Sequence, residues 1–354
     1  MGASSLVRRY RRLESVLPVV RLGRFPTPVE EASGLARAIG AASLWIKRDD
    51  LTGPLYGGNK VRKLELVLAR ALRDRREWVV TTGAWGSHHV LATSVYGRRL
   101  GVRVCAVLCP QPPTSHVLEN LLCTARAGAV VVPVRSPAWV APAMVVEALR
   151  RRAMLVPPGG SSPLGALAYA GAALELAEQV RRRECPAPER VYVALGSSGT
   201  LAGLVLGRAL APELGSTEVI GVRVTPSLHA NEVTVAALAT RASRLLSSLD
   251  PAAPRSTFVP RDVSVIHDQY GEGYGHATRE AGLALSLAAD RAGLVLDPTY
   301  TAKAFAGLIA DVGRRPPAGP VLFWNTLSSA DLGPLLEGAS PSLLPAGLRG
   351  LYGG

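Results

Sequence analysis

One lysine in a glycine-rich turn is the side chain with the clearest chemical potential in this sequence. Lys60 directly follows the Gly57–Asn59 segment, and apolar residues recur after it at helical spacing. We therefore predict that Asn59 caps a helix and that Lys60 lies in its first turn. Arginine stays protonated, whereas a lysine removed from water can lose its proton and form an imine with a carbonyl compound. Lys60 is thus either a Schiff-base residue or an ordinary solvated lysine, the commoner role of this residue type.

A second turn has the composition of a phosphate site. The segment Gly196–Thr200 lies between a predicted strand and a predicted helix. Glycines let backbone N–H groups come close to a ligand, and a helix N-terminus favours an anion. The segment has neither the Gly-Lys-Ser/Thr pattern of a nucleoside-triphosphate loop nor the Gly-x-Gly-x-x-Gly pattern of a dinucleotide loop. One phosphate on a small cofactor fits better, and its candidate ligands are Gly196, Ser197, Ser198, Gly199 and Thr200.

A third turn and two tyrosines complete the set of candidate side chains. Ser87 again stands between a predicted strand and a predicted helix, where it could bind a carboxylate or simply cap the helix. His88 and His89 follow it, but adjacent residues of a helix point apart, so we predict no metal site there. Tyr274, between two glycines, and Tyr300, after a predicted strand, could each bring a phenol to a site or serve in packing.

The elements that must position these residues alternate between strands and helices. Buried runs of β-branched residues such as 78–82 and 191–195 predict strands, and helical spacing predicts the segments between them. The alternation indicates right-handed βαβ units and a mainly parallel sheet. We also predict a helix over 29–39 and a strand over 294–297. In open α/β sheets, ligands bind beyond the carboxyl ends of the strands, where the turns described above fall.

Composition limits the classes of protein to which the chain can belong. It has 354 residues, of which 48% are hydrophobic, which is enough for two domains with their own cores. The net charge is +13, but the arginines form short runs without interleaved aromatic residues, so we predict no nucleic-acid binding. No run is apolar enough to span a membrane and no secretory signal is recognisable, so we predict a cytoplasmic location.

The candidate groups indicate one kind of chemistry when they are taken together. They provide a lysine for an imine, a turn for one phosphate, a turn for a carboxylate and two phenols for proton transfer. These are the groups that a pyridoxal 5'-phosphate (PLP) enzyme acting on an amino acid requires. PLP is therefore the predicted cofactor, and a small amino acid is the predicted substrate.

Three motifs resemble those of a single family. The segments Ile46–Gly53 and Gly57–Glu65 are similar to motifs of the aminocyclopropane-carboxylate (ACC) deaminase and D-cysteine desulfhydrase family. The segment Asp297–Ala304 is similar as well, and the resemblance extends from Pro26 to Thr326. It implies the tryptophan-synthase β fold, called fold type II, with two three-layer αβα domains, mainly parallel twisted sheets and the cofactor between them. A small domain, 63–176, is then inserted into a large domain made of 1–62 and 177–354, and a homodimer is expected.

The resemblance also assigns roles to the candidate residues. It implies that Lys60 carries PLP as an imine and that the Gly196–Thr200 turn holds the phosphate. Ser87 corresponds to a serine that contacts the substrate as nucleophile or proton carrier. Tyr274 and Tyr300 correspond to the two active-site tyrosines of the family.

Two positions separate the activities within the family. The deaminases have Glu directly after the second tyrosine and Leu at the position of Thr326, whereas this chain has Thr301 and Thr326. Thr326 is implied to lie beside the pyridine nitrogen, where a neutral hydroxyl leaves the ring unprotonated and favours prompt β-elimination. The desulfhydrase branch is therefore the better match.

The turn Ser87–His89 departs from the family pattern, which is Ser-Asn-His or Ser-Asn-Gln. The family's Asn contacts the phenolic oxygen of the cofactor, and His88 could donate the same hydrogen bond. Gly86 replaces a Gln and Trp85 adds bulk, so His88 and His89 border a substrate pocket of changed shape.

The predicted function is α,β-elimination on a small amino acid, of the D-cysteine desulfhydrase type. Lys60 or Ser87 removes the Cα proton, and Tyr274 or Tyr300 assists a leaving group such as a thiol. The products are a keto acid, ammonia and the released group. The alternatives are ACC deamination, racemisation of an amino acid on the same scaffold, or a PLP-binding protein without catalytic activity.

Overall fold

Two separate β-sheets form the framework of the computed structural model, which describes residues 4–352. The strands are β1 (Val29–Glu31), β2 (Leu44–Arg48), β3 (Trp78–Ala84), β4 (Arg103–Cys109), β5 (Val130–Pro133), β6 (Met154–Leu155), β7 (Arg190–Leu195), β8 (Glu218–Arg223), β9 (Ser264–Ile266) and β10 (Val321–Asn325). The first sheet has the order β1-β2-β10-β7-β8-β9, and the second has the order β5-β4-β3-β6. Every neighbouring pair is parallel except β1 with β2. The predicted α/β class with mainly parallel sheets is confirmed.

Helices alternate with these strands along the chain. They are α1 (Ser5–Arg9), α2 (Leu13–Val16), α3 (Ser33–Ile39), α4 (Asn59–Arg73), α5 (His88–Arg99), α6 (Ser115–Arg126), α7 (Val140–Arg151), α8 (Pro163–Arg181), α9 (Gly199–Leu210), α10 (Glu232–Leu249), α11 (Arg279–Ala292), α12 (Thr301–Arg314), α13 (Gly333–Leu336) and α14 (Ala346–Arg349). Within residues 4–352, none of the helices combines the length and the apolar character that a membrane crossing requires.

The six-stranded sheet is the middle layer of three. Successive side chains of a strand point to opposite faces. In β7, Val191 and Val193 therefore pack in one core with α8, α9 and α10, while Tyr192 packs in a second core with α3, α11 and α12. Both faces of the sheet are thus covered, as a parallel sheet requires.

The four-stranded sheet is also covered on both faces. Val79 of β3 packs in a core with residues of α4 and α5, whereas Val80 packs on the opposite side against Ala143 and Met144 of α7. Two three-layer αβα units result. Of the candidate residues, Ser87 follows β3, the Gly196–Thr200 turn follows β7 and Thr326 follows β10.

Three local predictions are corrected by the structure. Residues 29–39 are not one helix, because Val29–Glu31 pairs antiparallel with residues 45–47 of β2 before α3 begins. Residues 294–297 are not a strand, because the carboxylate of Asp297 accepts the backbone N–H groups of the next residues and turns the chain. Strand β9 was not predicted.

The segment 341–352 returns to the helices of the second sheet. Tyr352 donates a hydrogen bond from its hydroxyl to the carbonyl oxygen of Leu118 in α6, at 2.6 Å. Apolar side chains of the segment share a core with those of α5, β4 and α6, and this core includes Leu344, Leu348, Val90, Leu108 and Leu121. The chain therefore leaves β10 in the first sheet and finishes its described course on the second.

Candidate active site

Lys60 lies in the first turn of α4, as predicted. Gly58, with φ of +84°, is the N-cap residue, and a Cβ atom there would lie 2.7 Å from the carbonyl oxygen of Thr326. The N–H of Asn59 donates to that same oxygen at 3.1 Å. The prediction that Asn59 is the cap is therefore wrong, because the cap position needs the left-handed conformation that glycine provides.

The side chain of Asn59 connects Lys60 to the predicted phosphate turn. Lys60 Nζ donates to Asn59 Oδ1 at 2.8 Å, and Asn59 Nδ2 donates to Thr200 Oγ1 at 3.0 Å. Burial lowers the pKa of Lys60 to about 8, although the negative charge of Asp297 opposes this shift. A substantial fraction of Lys60 is consequently neutral near physiological pH, and a neutral amine is the form that acts as nucleophile or base.

The turn between β7 and α9 is built around the hydroxyl of Ser161. Ser161 Oγ accepts the N–H of Gly199 at 3.1 Å and lies 2.8 Å from Ser197 Oγ. A Cβ atom on Gly199 would lie 2.5 Å from the same oxygen. Ser198 has φ of +66° and donates from its hydroxyl to the carbonyl oxygen of His229 at 2.7 Å. Contacts with Ser161 and with the carbonyl oxygen of His229 therefore fix the conformation of the turn. The first N–H groups of α9 have no acceptor within the helix.

A buried lysine lies beside this turn. Lys63 Nζ donates to the carbonyl oxygen of Gly159 at 3.2 Å, and a Cβ atom on Gly159 would lie 2.0 Å from Ser197 Oγ. Burial lowers the pKa of Lys63 well below its usual value, and the charge of Lys60 adds to this shift. His89 Nε2 lies 2.9 Å from Thr81 Oγ1, while His89 Nδ1 is buried without a partner in the described part of the chain. A lysine donor, an unpartnered imidazole nitrogen and a turn with room only for glycine together fit a phosphate-bearing cofactor.

The two predicted tyrosines meet. The hydroxyls of Tyr274 and Tyr300 are hydrogen-bonded, and their ring centroids are 5.9 Å apart in an edge-to-face arrangement. Burial raises the pKa of Tyr274 to about 12 and raises the pKa of Tyr300 further. A Cβ atom on Gly196 would lie 3.5 Å from Tyr300 Cε1, so the phenols adjoin the phosphate turn. Both phenols are protonated at neutral pH and can donate a proton.

Two residues outside the predicted set position these phenols. Asp297 accepts the N–H of Thr299 at 3.0 Å and the N–H of Tyr300 at 2.8 Å, which fixes the backbone that carries the second phenol. Lys303 Nζ donates to the carbonyl oxygen of Tyr270 at 2.7 Å and thereby holds the loop that leads to Tyr274. The two chain segments that carry Tyr274 and Tyr300 are thus both held in place.

Ser87 is the N-cap of α5, since its Oγ accepts the N–H of Val90 at 3.4 Å. This is the structural role that the sequence left open, and it does not use the hydroxyl proton. A Cβ atom on Gly83 would lie 2.3 Å from Ser87 Oγ, so the strand end and the serine are in close contact.

Both ring nitrogens of His88 have partners within the chain. Nδ1 lies 2.5 Å from the hydroxyl oxygen of Tyr56, and Nε2 lies 3.1 Å from Nε2 of His116. Burial lowers the pKa of His88 to about 4; Asp297 opposes the shift, whereas the charges of His116 and Lys60 add to it. A hydrogen bond from His88 to a cofactor oxygen, as predicted, would therefore replace one of these two contacts.

Comparison with known proteins decides which cofactor this arrangement serves. Residues 20–326 match the family model described as pyridoxal-phosphate-dependent enzyme. The chain belongs to this family. The predicted cofactor, PLP, and the predicted fold type II are confirmed with it.

Individual relatives of this PLP-dependent enzyme have different activities. The nocardicin C-9' epimerase of Nocardia uniformis subsp. tsuyamanensis is 36% identical over 342 residues, 93% of this chain and 98% of the relative. The D-cysteine desulfhydrase of Salmonella newport (strain SL254) is 34% identical over 335 residues, 88% of this chain and 96% of the relative. The crystal structure of an ACC deaminase homologue has a TM-score of 0.76 and 28% identity, covering 97% of this chain and all of that one.

Several residues of this PLP-dependent enzyme's candidate site escaped the sequence analysis. Lys63 had a signal, because it lies three residues after Lys60 on the same helix and is one of only four lysines. Ser161 stands in a Gly-Gly-Ser-Ser segment that has the composition of a turn. Tyr56 and His116 had no signal, because only the fold brings them to His88.

Proposed function

We propose that this PLP-dependent enzyme catalyses α,β-elimination on a small amino acid, of the D-cysteine desulfhydrase type. The observation that carries the proposal is the placement of a base and an acid around one phosphate turn. Lys60 is linked to Thr200 through Asn59, and the buried phenols of Tyr274 and Tyr300 adjoin the other side of that turn at Gly196. Elimination needs both groups, because a proton leaves Cα and another must reach the departing atom.

In this proposal the turn and its neighbours hold PLP. Lys60 would bind its carbonyl carbon, and Gly196, Ser197, Ser198, Gly199 and Thr200 would hold the phosphate. Lys63 would add a hydrogen-bond donor on that side, since its Nζ lies beside the turn at Gly159. Thr326 is the residue proposed for the side of the ring. When bound, PLP supplies an electron sink for the negative charge that develops at Cα.

Lys60 is the proposed base. A neutral Nζ would be able to accept the Cα proton of the substrate, and the lowered pKa of Lys60 favours that neutral form. Asn59 Oδ1 orients Nζ as a hydrogen-bond acceptor without the charge of a carboxylate. Ser87 is the second candidate for this role, because its cap contact leaves the hydroxyl proton available.

The tyrosine pair is the proposed acid. One phenol donates a proton to the departing sulfur, so that the thiol leaves as a neutral molecule. The hydrogen bond between Tyr274 and Tyr300 lets the second phenol supply a proton to the first. Because both phenols have raised pKa values, they keep their protons at neutral pH and are available as hydrogen-bond donors to the departing sulfur.

We also propose the architecture and setting that the sequence indicates. Residues 63–176 form a small domain within a large domain of 1–62 and 177–354, with the cofactor between them; all four strands of the second sheet lie within the small domain, which supports this. The four cysteines are free thiols, which suits a cytoplasmic location. A homodimer, measurable by light scattering, and no nucleic-acid or membrane partner complete the proposal.

The experiment that tests this function measures keto acid and sulfide from purified protein loaded with PLP. The substrates are D-cysteine, L-cysteine, β-chloro-D-alanine and ACC, and the variant Lys60→Ala is the control. We expect pyruvate and sulfide from D-cysteine, and their loss in Lys60→Ala. Turnover of ACC alone would contradict the elimination proposal, and so would turnover of none of these compounds.

The acid role has its own matched pair of variants. Tyr274→Phe should lower the rate of elimination by about 100-fold, within the usual contribution of an acid catalyst. Tyr270→Phe lies in the same loop but contributes to the site through its backbone carbonyl, so it should change the rate much less. β-Chloro-D-alanine should be less affected by Tyr274→Phe than D-cysteine, because chloride leaves without a proton.

Epimerisation is the second candidate function, and the 36% identical epimerase favours it. An epimerase needs proton-transfer groups on both faces of Cα, and Lys60 and Ser87 are the two candidates. Proton NMR in deuterated water separates the functions. Exchange of the Cα proton with inversion and without keto acid indicates epimerisation, whereas keto acid formation indicates elimination.

A further inference from the structure

A chain of three hydrogen-bonded side chains connects the interior of the site to its edge. Tyr56 is 2% exposed, and its hydroxyl oxygen lies 2.5 Å from His88 Nδ1. His88 Nε2 lies 3.1 Å from Nε2 of His116, which is half-buried on α6. The ring of His88 also stands edge-on to Tyr300, with centroids 6.1 Å apart. This chain thus ends beside the phenol pair to which we assign the acid role.

Asn120 determines the direction of the hydrogen bonds in this chain. Its Nδ2 donates to the carbonyl oxygen of Gly86 at 3.0 Å, which fixes the orientation of the amide. The same Nδ2 lies 3.3 Å from His116 Nε2, which must therefore be an acceptor. His88 must then carry its proton on Nε2 and donate it to His116. Its Nδ1 accepts the hydroxyl proton of Tyr56 as a consequence.

We propose that His116 is a positioning residue that acts on the reaction through His88. It fixes the imidazole of His88 in the Nε2–H form and thereby directs the hydroxyl proton of Tyr56 toward His88 and away from the reacting groups. The kinetic consequence of this inference rests on the proposed function, whereas the assignment of the protons does not.

A proton added to His116 reverses the chain. Nε2 of His116 then becomes a donor and can no longer accept from Asn120 Nδ2, which keeps its bond to Gly86. His88 must then accept at Nε2 and carry its own proton on Nδ1. His88 Nδ1 in turn donates to the hydroxyl oxygen of Tyr56, and the phenol proton of Tyr56 turns toward another acceptor. The number of protons on Tyr56 and His88 is unchanged, and only their positions differ.

The ionisable groups around the histidine pair are unevenly distributed. Helix α13 and the segment 341–343, which pack against α6, have no ionisable side chain. The ionisable groups near the histidine pair are more numerous on the two helices that carry it and on neighbouring segments. They are His89, Tyr96, Arg98 and Arg99 on α5, Glu119, Cys123 and Arg126 on α6, and Lys60, Asp297, Tyr300 and Tyr352. Each of these can be held constant while His116 alone is changed.

Imidazole ¹⁵N NMR tests the assignment of the protons directly, with and without PLP. The chain has six histidines, so single substitutions assign the signals. We expect His88 to have its proton on Nε2 while the His116 signals show a neutral ring, and on Nδ1 once those signals show a second proton on His116. In His116→Gln, which keeps an acceptor but cannot gain a proton, His88 should keep the Nε2–H form throughout. His276→Gln is the matched control, since His276 is exposed and should leave the His88 signals unchanged.

The dependence of kcat/KM on pH with D-cysteine tests the consequence for the reaction. Where the NMR signals show that His116 has gained a proton, kcat/KM of the wild-type protein should fall in an acidic transition, and His116→Gln should lack this transition. His116→Phe, which removes the acceptor, should lower the rate by about tenfold at every pH, the equivalent of one hydrogen bond.

Two results would overturn the inference. One is a His88 that carries its proton on Nδ1 in the wild-type protein while the His116 signals show a neutral ring. The other is an acidic transition that persists unchanged in His116→Gln. If D-cysteine is not turned over, the proposed function fails, and the NMR result still decides the role of His116.

Discussion

Lys47 is fully buried and Lys60 is half-buried, and the hydrogen-bond partners of the two ammonium groups differ in charge. Lys47 Nζ donates to the carboxylate of Glu175 at 2.7 Å, to the amide oxygen of Gln179 at 2.6 Å and to the carbonyl oxygen of Thr27 at 2.8 Å. Lys60 Nζ donates to the amide oxygen of Asn59 at 2.8 Å. One lysine is thus surrounded by a carboxylate and two further acceptors, and the other by a neutral amide.

The difference shows how one protein uses burial in two ways. Although burial opposes it, the charges of Arg62 and Lys47 lower the pKa of Glu175 to about 2, so the carboxylate stays ionised. Burial lowers the pKa of Lys47, and the charge of Glu175 opposes this shift. Burial lowers the pKa of Lys60 to about 8, and the charge of Asp297 opposes that shift. A carboxylate partner favours the charged, structural form of a lysine such as Lys47. A neutral amide partner does not, which leaves a lysine such as Lys60 available as a reactive amine.

Removing the Glu175 carboxylate, the counter-charge of Lys47, should have the largest effect of the substitutions near the two lysines. Glu175→Gln leaves Lys47 and Arg62 without their shared counter-charge. The free energy of unfolding should fall by about 3 kcal/mol or more, as for other broken buried ion pairs. Urea unfolding measures this loss. The matched control is Glu77→Gln, in an exposed pair with Arg103, which should cost less than about 0.5 kcal/mol. Equal losses in the two variants would contradict the comparison.

Substitution by methionine should change the free energy of unfolding in opposite directions at Lys47 and Lys60. Lys47→Met leaves a buried acceptor set without its donor and should destabilise by about 2 kcal/mol. Lys60→Met, in protein without cofactor, should stabilise by about 2 kcal/mol at pH 7, because it removes the cost of burying a charge.

The stability gained in Lys60→Met should depend on pH, and the direction of the Lys60 pKa shift determines how. The pKa of Lys60 is about 8 in the folded protein, below the unfolded value of about 10.4. The unfolded chain therefore binds more protons between these values, and the wild-type stability rises with pH in that window. The advantage of Lys60→Met should be full below about pH 8 and vanish near pH 10.4. A gain that does not change with pH, in urea unfolding at several pH values, would refute the explanation.

A carboxylate placed beside Lys60 should make the surroundings of this lysine more like those of Lys47. Asn59→Asp places a negative charge beside Lys60 Nζ and should raise the lysine pKa by about one unit or more. The pH at which the protein captures PLP, followed by absorbance, should rise by the same amount. Thr200→Val is the control, because it removes the contact with Asn59 Nδ2 without adding charge. An equal shift in both variants would show that the contact, rather than the charge, is responsible.

The smallest expected effect is at the phosphate turn. Gly159 and Gly160 both have positive φ, but an added Cβ atom lies 2.0 Å from Ser197 Oγ at Gly159 and at least 3.5 Å from any neighbour at Gly160. Gly159→Ala should therefore weaken PLP binding by about fivefold more than Gly160→Ala, a difference of about 1 kcal/mol. Fluorescence titration with PLP measures both, and equal affinities would contradict the proposed position of the phosphate.

Local composition was sufficient to predict most of the fold. Strands such as β3 and β7 have continuous β-branched runs, and the turns after them have the glycines and hydroxyls that such turns require. The errors occurred where a distant or side-chain contact decides the conformation. Residues 29–31 are a strand only because β2 lies beside them, and residues 294–297 turn because the carboxylate of Asp297 accepts the following N–H groups.

The candidate site was predictable to the extent that its chemistry is carried by single turns. Lys60 stands out because lysine is rare in this chain, and the contact between Tyr274 and Tyr300 agrees with the pairing that the resemblance implies. The hydrogen-bond chain through His88 was not predictable. Tyr56 and His116 come from a loop and from a separate helix, and no spacing in the sequence relates them.

The return of the segment 341–352 to α6 has a mechanical consequence. The polypeptide passes between the two sheets after β2, after β6 and again after β10. The hydrogen bond from Tyr352 to Leu118 fastens this third passage to α6, whereas the first two are continued by strands or helices of the chain. Pulling the two sheets apart should therefore require this contact to break as well, so local opening there should be less frequent than it would be with the first two connections alone.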